Sequence, residues 1–111
     1  MPDAPLAHSL TPRADGPKQL AHAAQLFKVL GTPVRLAIVV GLARAPRSVQ
    51  ELADTLGVRQ PVVSQHLRVL RSARLVTADR RDRQRLYQLV DEHVRHIVAD
   101  ALQHARERSG Y

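Results

Sequence analysis

The sequence predicts a small, mainly α-helical domain with one β-hairpin. Apolar residues recur at helical spacing over most of the chain, and this period changes to a short alternating pattern only near residues 75–89. Glycines and prolines fall between the helical segments, where helices begin or end. With 111 residues, 44% of them apolar, the chain has the size and the core-forming content of one domain.

The first two helices are predicted from apolar spacing and a proline cap. Leu20, Phe27 and their apolar neighbours recur at helical spacing over about residues 18–30. Thr32 and Pro33 then form a helix start, with proline at the first helical position. The second helix is apolar around most of its surface, so we expect it at the buried centre of the domain.

The third and fourth helices are predicted to be joined by a tight turn. Ser48 and Glu51 have the spacing of a capping box, and Gly57 can take the positive φ that ends the third helix. The fourth helix covers about residues 60–73 and has two unlike faces. Its apolar face is formed by Val63, Leu67 and Leu70, and its polar face by Ser64, Gln65, Arg68 and Arg71.

Two short strands and a final helix complete the predicted domain. We expect the strands at residues 75–77 and 85–89, with a charged turn over residues 80–83 between them. The last helix is expected to run from near Asp91 to about Arg108.

The two ends of the chain are expected to lie outside the ordered domain at residues 17–108. Residues 1–16 hold three prolines and scattered polar groups, which predicts a flexible arm, and residues 109–111 form a short tail. No apolar run approaches the ~18 residues of a membrane span, and the N-terminus lacks the apolar stretch of a signal peptide. We therefore expect a cytoplasmic protein with no membrane partner.

The charge balance favours a polyanionic partner. The formal net charge is +7, which for a compact domain points most simply to nucleic acid. The chain has no cysteine, so disulfides and thiolate metal sites are excluded. Any metal ion would have to be held by imidazole and carboxylate groups.

The order of the predicted elements indicates a DNA-binding motif. Two short helices joined by a glycine turn make a helix-turn-helix, and the basic hairpin behind them makes a wing. Donors and acceptors on the fourth helix suit base edges and phosphates, while the hairpin arginines suit phosphates or an adjacent minor groove. We therefore predict a winged helix-turn-helix that binds double-stranded DNA through Gln60, Pro61, Ser64, Gln65, His66, Arg68, Arg80, Arg81, Arg83 and Arg85.

An enzyme, such as a metal-dependent hydrolase, is an alternative of a different class. The sequence has no glycine-rich phosphate loop and no nucleophile elbow. Ser64 and His66 are two residues apart on one helix, so they point to different faces and do not form a catalytic pair. We therefore expect a protein that is not an enzyme.

A zinc-storage protein is an alternative of a third class. Such a protein would not need the helix-turn-helix.

Four side chains on the final helix are candidate metal ligands: Asp91 and His93 at its start, and His104 and Glu107 near its end. A helix rises ~1.5 Å per residue, so His93 and His104 lie ~16 Å apart along it. Zinc ligands lie within ~2.0–2.2 Å of the ion, so one chain cannot close this site. A second copy of the helix, running antiparallel, would bring the complementary pairs together. The spacing therefore predicts a homodimer with metal at the subunit boundary.

The chemistry of these ligands favours zinc and leaves alternatives open. Two imidazoles and two carboxylates complete a tetrahedral set with no open position, as in structural or regulatory zinc sites. If His8 and His22 added ligands, the higher coordination number would suit nickel or cobalt better. His96 and Asp100 lie at helical offsets from the same histidines and offer a weaker local site.

Three segments of the chain resemble the ArsR/SmtB family of metal-sensing winged-helix repressors. They are residues 27–36 (FKVLGTPVRL), residues 51–57 with the run Glu-Leu-Ala and a final glycine, and residues 60–70 (QPVVSQHLRVL). The resemblance covers about residues 20–108 and places the recognition helix at residues 60–73. It implies a homodimer that binds an operator near its own promoter and dissociates from the DNA when metal binds.

The family resemblance also bears on the metal site. The pattern Asp-x-His followed by His-x-x-Glu resembles the zinc-sensing version of the family's final-helix site, whereas the cysteine site is absent from residues 49–54. Asp82 stands in the wing turn where many members carry glycine, and aspartate tolerates the left-handed conformation. The nearest alternative is a metal-independent repressor that uses the same DNA surface.

Overall fold

The computed structural model describes residues 16–108, in which five helices and one antiparallel hairpin confirm the predicted fold class. In chain order the elements are α1 Pro17–Val29, α2 Pro33–Arg44, α3 Val49–Leu56, α4 Gln60–Ser72, β1 Val76–Arg81, β2 Gln84–Leu89 and α5 Glu92–Arg108. Residues 1–15 of the predicted arm and the predicted tail lie outside the described residues. No single helix within residues 16–108 is long and apolar enough to cross a membrane, and α1 and α2 meet that test only as a pair bent by 97°.

The helix α2 forms the centre of the domain, as its apolar surface predicts. It packs against α3, α4, α5 and β2, and the side chains of Ile38, Val39 and Leu42 are buried. The inner faces of α4 and α5 complete this core with Val63, Leu67, Leu70, Val94 and Val98. Burial of one face of α4 leaves its opposite, polar face toward solvent.

The turn between α3 and α4 is set by the residues that the sequence predicts. The Oγ of Ser48 accepts a hydrogen bond from the Glu51 backbone N–H at 3.1 Å, and the Glu51 carboxylate accepts one from the Ser48 N–H at 2.8 Å. This confirms the capping box. Gly57 has φ +66°, the left-handed conformation that a residue with a Cβ disfavours, so α3 ends there and the chain turns into α4.

The β-hairpin is longer, and its turn shorter, than the sequence predicts. Each strand has six residues, and Arg81 pairs with Gln84 at the tip. The predicted four-residue charged turn is wrong, because Arg80 and Arg81 belong to the ladder and only Asp82 and Arg83 form the loop. Strand length is predicted from alternation of apolar and polar residues, and charged side chains on both faces of the tip carry no such alternation.

The base of the hairpin is joined to the start of the helix-turn-helix. Arg47 and Tyr87 form an isolated antiparallel bridge, with backbone hydrogen bonds of 3.0 and 2.7 Å. Ser48, the next residue, caps α3. The wing is therefore held by backbone hydrogen bonds against the segment that leads into the helix-turn-helix.

The helix α1 presents apolar side chains on its outer side. Leu26 and Val29 on its inner side pack against the core. Leu20 and Phe27 are seven residues apart, so they share the outer side, where they are 45% and 62% exposed. Some of the apolar residues that predict this helix therefore form a stripe that no other part of the protomer covers.

Candidate DNA interface and metal ligands

The polar face of α4 lies on the surface, as predicted. Gln60 and Pro61 occupy the first turn of the helix, where a proline costs no backbone hydrogen bond. Ser64, Gln65 and Arg68 follow along the same exposed side. This face offers amide, hydroxyl and guanidinium groups, which are the groups that read base edges and phosphates.

A cleft of about 510 Å³ lies between α4 and the hairpin. Among the described residues, those lining it carry arginines and hydroxyls and no carboxylate: Ser64, Arg68, Arg71, Ser72, Arg85 and Tyr87. Guanidinium groups that share a cleft without an acid repel one another unless an anion lies between them. The cleft is therefore suited to the phosphates of a nucleic acid backbone.

Three residues of this cleft, Arg71, Ser72 and Tyr87, are missing from the predicted DNA-binding residues. Arg71 follows Arg68 by three residues and Ser64 by seven, so helical spacing alone places the three on one side. The sequence does not show that the hairpin lies over this part of the helix. Without knowledge of that contact, the sequence does not distinguish Arg71 from any other exposed arginine as a candidate DNA-binding residue.

Arg80 and Arg85 lie directly opposite each other in the hairpin. Opposed residues in an antiparallel ladder point to the same face, with Cβ atoms ~4.5–5.5 Å apart, so like charges there destabilise the pair. Arg85 also lies over the ring of Tyr87, 5.6 Å from its centroid. Because Tyr87 lines the cleft, this face of the hairpin adds its charge to that of α4.

The structure divides the predicted hairpin arginines into three groups. Arg80 and Arg85 share the face that turns toward α4, and Arg83 lies exposed in the loop at the tip. Arg81 lies on the opposite face together with Asp79, and its Nε is 3.6 Å from the Asp79 Oδ2. This exposed ion pair adds little stability, but it partly neutralises Arg81, which lies on the face of the hairpin away from the cleft.

His66, one of the predicted DNA-binding residues, is less exposed than its polar neighbours on α4. It is half-buried, and its Nδ1 accepts a hydrogen bond from the Nε of Arg35 at 3.1 Å. Arg35 lies in α2, 31 residues earlier in the chain, so no local pattern shows this contact. The imidazole therefore has a partner inside the protein before any contact with DNA.

The hairpin loop holds a strained arginine, and this leads to a prediction with opposite effects on folding and binding. Asp82 and Arg83 have φ values of 50° and 70°, as in a type I′ turn, which favours glycine at its second position. We expect Arg83→Gly to raise the free energy of unfolding by about 1 kcal/mol, since the left-handed conformation costs other residues about 1–2 kcal/mol. The same change removes a cation, so DNA binding should weaken. Thermal unfolding and the salt dependence of DNA affinity measure the two effects, with a slope change of ~0.9 per lost phosphate contact.

Asp82→Gly is the matched control for this prediction. It keeps the loop conformation, because glycine adopts a positive φ freely, but it removes an anion instead of a cation. Aspartate already tolerates this first position of the turn, so the free energy of unfolding should change little, while DNA affinity stays equal or increases. If both variants weakened DNA binding equally, the conformation of the loop and not the charge of Arg83 would be what DNA binding requires.

Asp91 and His93 form the first candidate pair of metal ligands. The Oδ1 of Asp91 accepts a hydrogen bond from the Val94 backbone N–H at 3.2 Å, so this carboxylate caps α5. Its Oδ2 lies 3.7 Å from the Nδ1 of His93, and both side chains are exposed. One oxygen thus fixes the carboxylate while the other stays open beside an imidazole, which suits a ligand that binds through one oxygen.

His104 and Glu107 form the second pair, in the last turns of α5. They are three residues apart, so they lie on the same side of the helix, and both are exposed. Glu107 accepts a hydrogen bond from the Gln103 side-chain amide at 3.3 Å. Within residues 16–108, no three histidine, aspartate or glutamate side chains come together where they could hold one ion, and His96 and Asp100 create no such group. The four predicted ligands therefore form two separate pairs in one protomer.

A helix-turn-helix with a basic wing and a cationic cleft defines a winged-helix, DNA-binding regulator. The family model of the bacterial regulatory proteins of the arsR family matches residues 32–78, from the start of α2 into β1. The transcriptional repressor SmtB of Mycobacterium tuberculosis is 48% identical over 95 residues, which cover 85% of this chain and 70% of that protein. The transcriptional regulator NmtR of the same organism is 40% identical over 85 residues, which cover 77% and 71% of the two chains.

Solved structures agree with the sequence relatives. A homodimeric winged helix-turn-helix DNA-binding domain from Mycobacterium bovis, described as a possible ArsR-family regulator, has a TM-score of 0.74 and 30% identity over 80% of this chain and 82% of its own. The repressor BigR from Xylella fastidiosa has a TM-score of 0.69 and 36% identity over 79% and 87% of the two chains. The chain belongs to the ArsR family, as a transcriptional repressor of the SmtB/ArsR metal-sensor type and not as an enzyme.

Proposed function

We propose that this protein is a cytoplasmic repressor that binds operator DNA as a metal-free homodimer and leaves it when zinc binds between the subunits. The observation that carries the proposal is the placement of two exposed ligand pairs at opposite ends of one helix. Asp91 and His93 lie at the start of α5, and His104 and Glu107 lie in its last turns. A second copy of α5, running antiparallel, would place the complementary pair beside each of them.

The outer side of α1 supports the homodimer independently of the metal ligands. Leu20 and Phe27 leave an apolar stripe in solvent within the protomer. In a symmetric dimer, two copies of one apolar stripe cover each other. A domain of this size, with an aromatic content of only 3%, gains stability from such additional burial.

The donor set at each subunit boundary fits zinc. Asp91 and His93 of one protomer would hold the ion together with the partner's His104 and the partner's Glu107, which gives two equivalent sites per dimer. Two nitrogen and two oxygen ligands complete a tetrahedron, so the site would leave no position for a substrate. A closed site of this kind suits regulation, because it can fix the relative position of two helices.

A change in the position of α5 would reach the DNA-binding surface through contacts within the protomer. Arg95, in the first half of α5, donates a hydrogen bond to the backbone oxygen of Ala43 in α2. The helix also follows β2 after only two residues. A dimer arrangement that fixes the two α5 helices therefore also fixes α2, the wing and α4.

The proposed switch is a choice between two dimer arrangements. In the metal-free arrangement, the two α4 helices would lie ~34–36 Å apart and fit successive major grooves. In the zinc-bound arrangement they would be misplaced. The factor by which zinc lowers DNA affinity then equals the factor by which DNA lowers zinc affinity, and it cannot exceed the ratio of the zinc affinities of the two arrangements.

Zinc titration of an operator complex tests this proposal. Fluorescence anisotropy of a labelled promoter fragment is expected to show tight binding in the presence of a chelator and release by zinc. Release should be complete at two zinc ions per dimer. An operator complex that zinc leaves unchanged would show a metal-independent repressor with the same DNA surface.

The same titration with nickel and cobalt identifies the preferred metal. These ions favour more than four ligands, and the candidate additions are His8 and His22. His8 lies outside the described residues, and His22 lines a cavity beside the C-terminal end of α4. Release by nickel or cobalt at lower concentration than zinc would make the protein a nickel or cobalt sensor.

A further inference from the structure

Arg35 makes three hydrogen bonds that join three parts of the chain. Its backbone N–H donates to the Oγ1 of Thr32, the residue that caps α2, at 3.1 Å. Its Nη1 donates to the backbone oxygen of Val29, the last residue of α1, at 3.1 Å. Its Nε donates to the Nδ1 of His66 in α4, at 3.1 Å. One side chain therefore links the end of α1 to the middle of the recognition helix.

The bond to His66 determines what that imidazole can offer. Because Nδ1 accepts the bond, it carries no proton, so the ring carries its proton on Nε2. Arg35 and His66 are both half-buried, and a hydrogen bond from a guanidinium group in such a place is stronger than one between neutral groups in water. The bond therefore opposes rotation of α4 relative to α1 and α2.

We propose that Arg35 is a positioning residue for DNA binding, and that His66 serves as its acceptor instead of as a contact to DNA. The inference rests on the proposed function, in which α1 meets the second subunit and α4 enters the DNA groove. Through its bonds to Val29 and His66, Arg35 then connects α1, which contributes to the dimer interface, with α4, which reads DNA. The apolar contacts of α4 hold it on the core, whereas this bond fixes its orientation.

Two substitutions of His66 separate a positioning role from a DNA contact. The amide of asparagine occupies the place of Nδ1, so His66→Asn keeps an acceptor for Arg35 and loses the group at Nε2. The amide of glutamine occupies the place of Nε2, so His66→Gln does the reverse. We expect His66→Asn to bind operator DNA within ~3-fold of the native protein and His66→Gln to bind ~10-fold or more weakly, as for a lost bond to a charged group.

A double-mutant cycle tests the partner. Arg35→Gln is expected to weaken operator binding as much as His66→Gln, and the double variant no further, because both changes break the same bond. The salt dependence of affinity should stay native in all these variants, since no phosphate contact is lost. Arg68→Gln, which removes a cation from the cleft, is the matched control and should reduce that slope by ~0.9 per phosphate contact. The imidazole nitrogen shifts of His66 should show the Nε2–H tautomer in the native protein and a mixture in Arg35→Gln.

These measurements distinguish failure of the inference from failure of the proposed function. A native protein that does not bind operator DNA at all would overturn the proposed function. A native protein that binds, together with a native-like His66→Gln and a weakened His66→Asn, would make His66 a DNA contact and overturn the inference. Equal, native-like binding by all the Arg35 and His66 variants would overturn it as well.

Discussion

His104→Ala should leave the metal-free protein on operator DNA and abolish its release by zinc. His104 is exposed on α5 and does not line the cleft between α4 and the hairpin, so DNA affinity without metal should stay within ~2-fold of native. The substitution removes one of the two imidazoles from the proposed site. The drop in DNA affinity on zinc binding, which for couplings of usual size is ~5–150-fold, should shrink to ~1-fold. Anisotropy of a labelled operator, with chelator and with zinc, measures both quantities.

The exposed histidine His96 provides the matched control. It lies on the same helix but belongs to neither predicted pair, so His96→Ala should be released by zinc like the native protein. The reverse result, with His96→Ala resistant to zinc and His104→Ala still released, would move the switch to a local site with Asp100.

Complementation between two inactive variants tests whether the site crosses the subunit boundary. One variant carries Asp91→Ala and His93→Ala, and the other carries His104→Ala and Glu107→Ala. Neither homodimer has a complete site, but a mixed dimer has one, built from the intact pair of each chain. Refolding the two variants together should therefore restore tight binding of ~1 zinc ion per mixed dimer. If mixing restores nothing, the four residues do not act across the boundary.

The parts of the fold that depend on neighbouring residues could be predicted from the sequence. The capping box of Ser48 and Glu51 and the left-handed Gly57 involve residues within one helical turn, so their pattern determines the local structure. The same holds for the placement of the candidate ligands, since spacing along a helix decides which side chains share a side. Asp91 has the additional role of capping α5, and a cap is also a local feature.

The parts that depend on contacts between distant segments could not be predicted. Arg35 and His66 are 31 residues apart, and nothing in either segment indicates the other. The cleft arises because the hairpin lies over α4, so the position of Arg71 in its lining is visible only in three dimensions. Apolar spacing showed that α1 is a helix, but it does not distinguish a stripe that faces the core from one that faces a second subunit.

Phe27→Glu should convert the protein from a dimer into a monomer and thereby weaken operator binding. Phe27 is 62% exposed on the outer side of α1, about two helical turns from Leu20 on the same side. A symmetric interface contains the change twice, and each loss of a buried phenylalanine costs about 1.5–3 kcal/mol. The dimer dissociation constant should therefore rise ~10²–10⁴-fold. Sedimentation at several protein concentrations measures this directly, and circular dichroism checks that the protomer still folds.

Ala21→Glu is the matched control, because it adds the same negative charge to α1 outside the apolar stripe. Ala21 is exposed on α1 but about a quarter-turn or more away from the stripe, so this variant should remain dimeric and bind operator DNA normally. Phe27→Glu should lose operator affinity and tight zinc binding together, because both need two protomers. A dimeric Phe27→Glu would exclude the outer side of α1 from the interface. The two α5 helices would then have to be brought together by other contacts, and complementation between the ligand variants would still decide whether they meet.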